Sequence, residues 1–147
     1  MTRFEIAGLA FGAAAALGGL GFLVHRAATQ PEPMEADEFG RIVRQLASDA
    51  HESAHLAALV AGGQVNEHYA RAASEKLGDD VKDTRKRLEA PPPRGGEDAV
   101  RKAGELAQHM KDLLDSVPRV MADNTTMKRL QAEHERIAGD LERLAPR

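Results

Sequence analysis

Residues 6–24 form an apolar run, IAGLAFGAAAALGGLGFLV, of nineteen residues without a charged side chain. A helix rises about 1.5 Å per residue, so roughly 20 apolar residues cross a bilayer core of about 30 Å. Elsewhere the chain is rich in charge, and Asp, Glu, Lys and Arg make up 29% of the whole sequence. The run therefore predicts a single-pass membrane helix that carries a polar domain.

Residues 1–26 are expected to form a retained membrane anchor. A cleaved signal peptide is the first alternative and a buried soluble helix the second. A cleaved signal has a basic start, a shorter apolar run and small residues at the cleavage site. Here Glu5 precedes a long run and Arg26 follows it closely, so the pattern favours retention.

The side of the membrane on which the domain lies is predicted from the basic residues near the run. Arg3 precedes the run, whereas Arg26, Arg41 and Arg44 follow it. Basic residues favour the cytoplasmic side, so the pattern leans toward a cytoplasmic domain.

Small residues repeat every four positions inside the run, at Gly8, Gly12 and Ala16. Such a stripe lets two membrane helices approach closely. The alternative is that Gly and Ala are simply common in apolar spans. A homo-oligomer, or contact with another helical membrane protein, is expected on the first interpretation.

The rest of the chain divides at its prolines and glycines. Residues 27–34 contain two prolines and no periodicity, which predicts an extended spacer. Residues 35–147 are predicted to be an all-α domain, either an antiparallel bundle of about four helices or a short coiled coil. It would consist of one hairpin over 35–90, a Pro/Gly loop over 91–96 and a second hairpin over 97–145.

Three of the four predicted helices carry apolar seams with steps of three and four residues. The first begins near Glu35 and stops at Gly62, the third is closed by Pro118, and the fourth begins near Asp123. Their seams are Phe39, Val43, Leu46, Ala50, Ser53, Ala57 and Val60; Val100, Ala103, Ala107, Met110, Leu114 and Val117; and Met127, Leu130, His134, Ile137, Leu141 and Leu144.

The second predicted helix begins at Asn66, runs to about Ala90 and is interrupted at Gly78, which is either a kink or a break. Its apolar residues drift around the helix because they are spaced by fours, so its packing face is poorly defined. They are Val65, Tyr69, Ala73, Leu77 and Val81.

Composition excludes several functions. The net charge is −3 with both signs interleaved, and the chain has no cysteine. No basic surface is predicted to hold nucleic acid, and disulfides, thiolate metal sites and cysteine nucleophiles are ruled out.

The one motif with named chemistry is HESAH, residues 51–55. It matches the HExxH pattern, in which two histidines on one helix face bind zinc and the glutamate acts as general base. Glu75 follows His55 by twenty residues, a spacing that resembles the downstream glutamate of thermolysin-like metalloproteases. A membrane-tethered zinc hydrolase with His51, His55 and Glu75 as ligands and Glu52 as base is therefore the second function hypothesis.

Side-chain direction argues against that hydrolase. At about 100° per residue, His51 and His55 lie on the solvent side of the first seam, and Glu75 points away from the apolar residues of its own helix. Asp49 also puts a charge where the extended motif prefers an uncharged residue. We therefore expect a solvated helix face here.

His134 interrupts the last seam, where a polar residue most often fixes register. His109 lies beside Met110, and a third hypothesis is a bundle that binds haem or a metal through such histidines. The favoured prediction is a non-catalytic interaction or scaffold module at the membrane, without a cofactor, that binds through its apolar seams and uses His134 for register. Zinc is the candidate ligand if HESAH binds metal.

Overall fold

A computed structural model describes residues 32–146. The predicted membrane helix at residues 6–24 and most of the spacer lie outside the described residues. None of the helices within 32–146 is both long and apolar enough to cross a membrane. Within this range the chain is all-helical and has no strands, which agrees with the predicted helical bundle.

Four α-helices follow one another along the described chain. They are α1 (Ala36–Ala61), α2 (Glu67–Lys86), α3 (Glu97–Val120) and α4 (Asn124–Leu144), with a short 3₁₀ helix at Arg87–Glu89 after α2. The predicted starts near residues 35, 66, 97 and 123 are confirmed.

Helix α1 ends in a hydrogen-bonded glycine cap. The amide of Gly63 donates to the carbonyl of Val60 over 3.0 Å, and the amide of Gln64 donates to that of Leu59 over 2.9 Å. Gly63 has a φ of 63°, a left-handed conformation that an L side chain disfavours. The sequence prediction that α1 stops at this glycine pair is confirmed.

Helix α2 continues through Gly78 without a break. Asn66 caps its start by accepting a hydrogen bond from the amide of Tyr69 over 2.8 Å. The buried face consists of Ala70, Ser74, Leu77, Gly78 and Val81. Tyr69 is 54% exposed, so its placement in an apolar packing set was wrong. Small residues occupy core positions in α2, and the spacing of large apolar side chains does not reveal them.

Helix α3 extends further than predicted, because it continues past Pro118 to Val120. Proline removes a backbone donor and restricts the residue before it, so the sequence predicts an end at this residue. In the last turn of a helix the loss is one hydrogen bond, and the chain continues to the turn that leads into α4. The buried residues of α3 are those of its predicted seam.

Helix α4 begins at a side-chain cap. Asp123 accepts hydrogen bonds from the amides of Thr125 and Thr126 over 2.9 and 3.2 Å. The hydroxyl of Thr126 also donates to this carboxylate over 2.6 Å, and these three bonds lower the pKa of Asp123.

The helices are arranged as a bundle in which α1 packs beside α2 and α4, and α3 packs beside the same two helices. The most extensive contacts join α1 to α4 and α2 to α3, ahead of the contacts within each sequential hairpin. The end of the predicted spacer also belongs to this unit: Met34 is buried and its amide donates to the carbonyl of Pro91 over 2.8 Å.

One large core cluster contains buried residues from all four helices, among them Leu46, Val81, Leu114 and Ile137. A smaller cluster, formed by Ala57, Val117, Met127 and Leu130, lies toward the α3–α4 turn. The seams of α1, α3 and α4 are therefore buried within the bundle. The expectation that these seams bind a partner has to be revised, because they are buried against one another.

Candidate functional site

A groove of about 520 Å³ runs between α1 and α2; we refer to it as the α1–α2 groove. Its apolar residues are Leu56 and Leu59 of α1 with Ala73 and Leu77 of α2, and its polar and aromatic residues are Ser48, His51, Glu52, His55, Tyr69 and Lys76. It lies where α1 and α2 pack less extensively than α1 and α4 do. The HESAH motif is therefore beside a surface that could hold a small ligand or an ion.

Three residues of the motif, His51, Glu52 and His55, are exposed. The outward direction predicted for both histidines agrees with their positions in the structure. His51 is within reach of α4, with its Nε2 3.1 Å from Oε1 of Glu142. Sequence reasoning did not find Glu142, because it is 91 positions away along the chain and only the packing of α4 on α1 brings it close.

Glu75, the candidate third ligand, is exposed on α2 and does not line the groove that holds both histidines. Within residues 32–146, no three His, Asp or Glu side chains lie close enough together to ligate one metal ion. A catalytic zinc site normally has three protein ligands and an open position. The structure thus brings His51 and His55 to one surface and leaves Glu75 apart from them.

A buried carboxylate, Asp49, lies two residues before the motif. Its Oδ1 accepts a hydrogen bond from Gln45 over 2.8 Å, whereas Oδ2 has no partner within the described chain. Burial raises the pKa of Asp49, and the negative charges of Glu52 and Asp80 raise it further, although Gln45 and Lys76 oppose them. This buried acid was missed as a site residue, because sequence reasoning noted it only as a departure from the zinc motif.

Lys76 is the nearby cation, and it is paired on its own helix. Its Nζ is 2.6 Å from Oδ2 of Asp80, and this partner raises the pKa of the ammonium group. The groove therefore presents both signs of charge along its margin and no concentrated positive or negative field.

His134 is fully buried in the seam of α4, as its sequence position predicts. Neither ring nitrogen has a hydrogen-bond partner within the described part of the protein. Burial lowers the pKa of His134 to about 4; the charge of His109 lowers it too, and Glu133 opposes both. The imidazole is therefore neutral at physiological pH.

The haem hypothesis used His109 and Met110 together with His134. His109 is exposed, and its Nε2 is 3.1 Å from Oε1 of Glu133. Met110 is fully buried in the large core cluster. His134 lines neither the α1–α2 groove nor the groove beside His109. Neither groove is lined by all three side chains.

Within residues 32–146 the fold is that of a four-helix bundle. No known family model, no curated protein and no solved structure matches the chain.

Proposed function

We propose that this chain is a single-pass membrane protein whose helical domain acts as a non-catalytic interaction or scaffold module. Its partner would be a second copy of the chain or another helical membrane protein. The observation that carries the proposal is the uncharged run at residues 6–24, which precedes a segment that folds as a helical bundle. A tethered bundle of this kind concentrates a binding surface at a membrane.

The large apolar seams are buried in the core, so contact with a partner has to use other surfaces. Two features support an association. The small residues Gly8, Gly12 and Ala16 are spaced for close packing of two membrane helices. On the bundle, Tyr69 presents an exposed aromatic ring beside the α1–α2 groove, and tyrosine is enriched at protein interfaces.

Membrane anchoring is tested by fractionation of cells that produce the full chain or a variant lacking residues 1–26. We expect the full chain to remain in the membrane pellet after alkaline carbonate extraction, and the shortened chain to be released. Recovery of the full chain in the soluble fraction would contradict the anchor. Protease accessibility in sealed vesicles then reports the side on which the bundle lies, which we propose to be the cytoplasmic side.

Association is tested by cross-linking in the native membrane, followed by mass spectrometry of the captured species. We expect cross-links to a second copy or to a helical membrane protein, and fewer of them in Gly12→Leu, which fills the small-residue stripe. Gly21→Leu, which lies off that stripe, is the matched control. A chain that stays monomeric and uncross-linked in its own membrane would refute the interaction module while leaving the anchor intact.

A further inference from the structure

His51 and His55 are two exposed imidazoles on one face of α1. They are separated by one helical turn, and both line the α1–α2 groove. Side chains at this spacing have Cβ atoms about 5–6 Å apart. Two imidazoles at that separation can reach one ion, since zinc–nitrogen bonds are about 2.0–2.1 Å long.

The carboxylate of Glu142 on α4 contacts the ring of His51. Its Oε1 is 3.1 Å from Nε2 of His51. A neutral imidazole that donates its Nε2–H to this carboxylate keeps the Nδ1 lone pair free for an external ligand. Histidines that bind metals commonly have such a carboxylate partner, which orients the ring and increases its basicity.

We propose that His51 and His55 bind one divalent transition metal ion at the margin of the α1–α2 groove, with Glu142 as the residue that positions His51. Imidazole nitrogens suit Zn²⁺, Ni²⁺ and Cu²⁺ better than Mg²⁺ or Ca²⁺. Metal binding at these histidines requires neither the scaffold function nor hydrolysis.

The geometry also defines the kind of site. Two histidines supply two ligands, and within residues 32–146 no third His, Asp or Glu joins them. Water would have to supply the remaining coordination positions. Such a site holds its ion less tightly than a closed structural site with four protein ligands, and exchanges it readily.

The test measures Ni²⁺ and Zn²⁺ binding to the full chain in detergent, after removal of any affinity tag, by calorimetry and by competition with a chromogenic chelator. We expect one ion per chain. His51→Ala and His55→Ala should each weaken binding at least tenfold. The matched controls are His68→Ala and His109→Ala, since each removes an exposed histidine that has no histidine four positions away. They should bind as the unmodified chain does.

Glu142→Ala tests the positioning role. Loss of a carboxylate partner typically weakens metal binding about tenfold or more, and here the expected loss is smaller than that caused by His51→Ala. Equal or tighter binding in Glu142→Ala would overturn the role of Glu142. Unchanged binding in the double variant His51→Ala/His55→Ala would overturn the site itself. Circular dichroism of each variant verifies that the helices remain, so that weaker metal binding cannot be attributed to unfolding.

Discussion

At the scale of single residues, two buried polar side chains stand out because parts of them have no hydrogen-bond partner within the described chain. They are His134 in α4 and Asp49 in α1. An unsatisfied buried polar group costs free energy, whereas the surrounding core positions are apolar. Burial also shifts the pKa of each side chain. These two residues therefore make the stability of the bundle depend on pH.

His134 should make the bundle less stable in acid. Its folded pKa is about 4, whereas an unfolded histidine titrates near 6.5. Between these pH values the unfolded chain binds more protons, so the free energy of unfolding falls as pH decreases from about 6.5 toward 4, by about 3 kcal/mol in total. Urea unfolding of the full chain at a series of pH values measures this slope.

The variant His134→Leu isolates that contribution. It replaces an unpartnered polar ring with an apolar side chain, so we expect equal or higher stability at pH 7 and a flatter profile between pH 4 and 6.5. His68→Leu, at an exposed position of α2, is the control and should retain the unmodified slope. An identical slope in His134→Leu and the unmodified chain would show that His134 is not the residue responsible.

Asp49 acts in the opposite direction. Its folded pKa is raised above 3.8, so its contribution is favourable at low pH and is lost as pH rises through the interval above that value. Asp49→Asn should stabilise the bundle by about 1 kcal/mol at pH 7, because it removes a buried charge and keeps the acceptor for Gln45. Thermal or urea unfolding measures the difference. Glu52→Gln, at the neighbouring exposed position, should change little, and a destabilised Asp49→Asn variant would contradict this account.

At the scale of helices, the fold requires glycine at some positions and only tolerates it at others. A Cβ added at Gly104 or Gly139 would meet no atom within 4 Å, apart from its own helix and chain neighbours. At Gly40 the added atom would be 3.1 Å from the ring of Pro146, so close packing of α1 against the segment that follows α4 explains that glycine. No contact in the described structure explains the other two.

Gly104→Ala and Gly139→Ala are therefore expected to stabilise the bundle by about 1 kcal/mol each, because alanine is the better helix former. Gly63→Ala should have the opposite sign and cost about 1 kcal/mol, since it forces an L side chain into the left-handed cap of α1. Urea midpoints of the three variants check this order. A stabilised Gly63→Ala variant would contradict the cap assignment.

At the scale of the whole molecule, one cluster of buried residues spans all four helices, so the bundle should unfold as a single unit. Ile137→Ala in α4 and Val81→Ala in α2 remove apolar volume from two different closely packed helix pairs. We expect each to lower the midpoint of the same single transition, with a cost of about 2–5 kcal/mol for the isoleucine. Calorimetry that resolved two transitions would indicate two independently folding pairs.

Much of this fold could be predicted because it depends on local chemistry. The glycine cap after α1, the side-chain caps at Asn66 and Asp123 and the three-four spacing in α3 are all encoded within a few residues. The outward direction of His51 and His55 was predictable for the same reason, since angular position along α1 is a local property.

The remaining features depend on contacts between distant parts of the chain. The buried face of α2 includes Ser74 and Gly78, which have no apolar signal and fit only because neighbouring helices approach closely. Glu142 reaches His51 through the packing of α4 on α1, so one of the three residues of the candidate metal site could not be found from helix periodicity.

The starts of the described helices, the residues that cap them and the buried face of α3 follow from the sequence alone, because hydrogen bonds and periodicity within one segment fix them. The extensive packing of α1 on α4 and the burial of the seams against one another are seen only in the folded structure. Apolar seams of similar spacing do not specify their partners. The close fit of small and large side chains across the core determines which helices pack together.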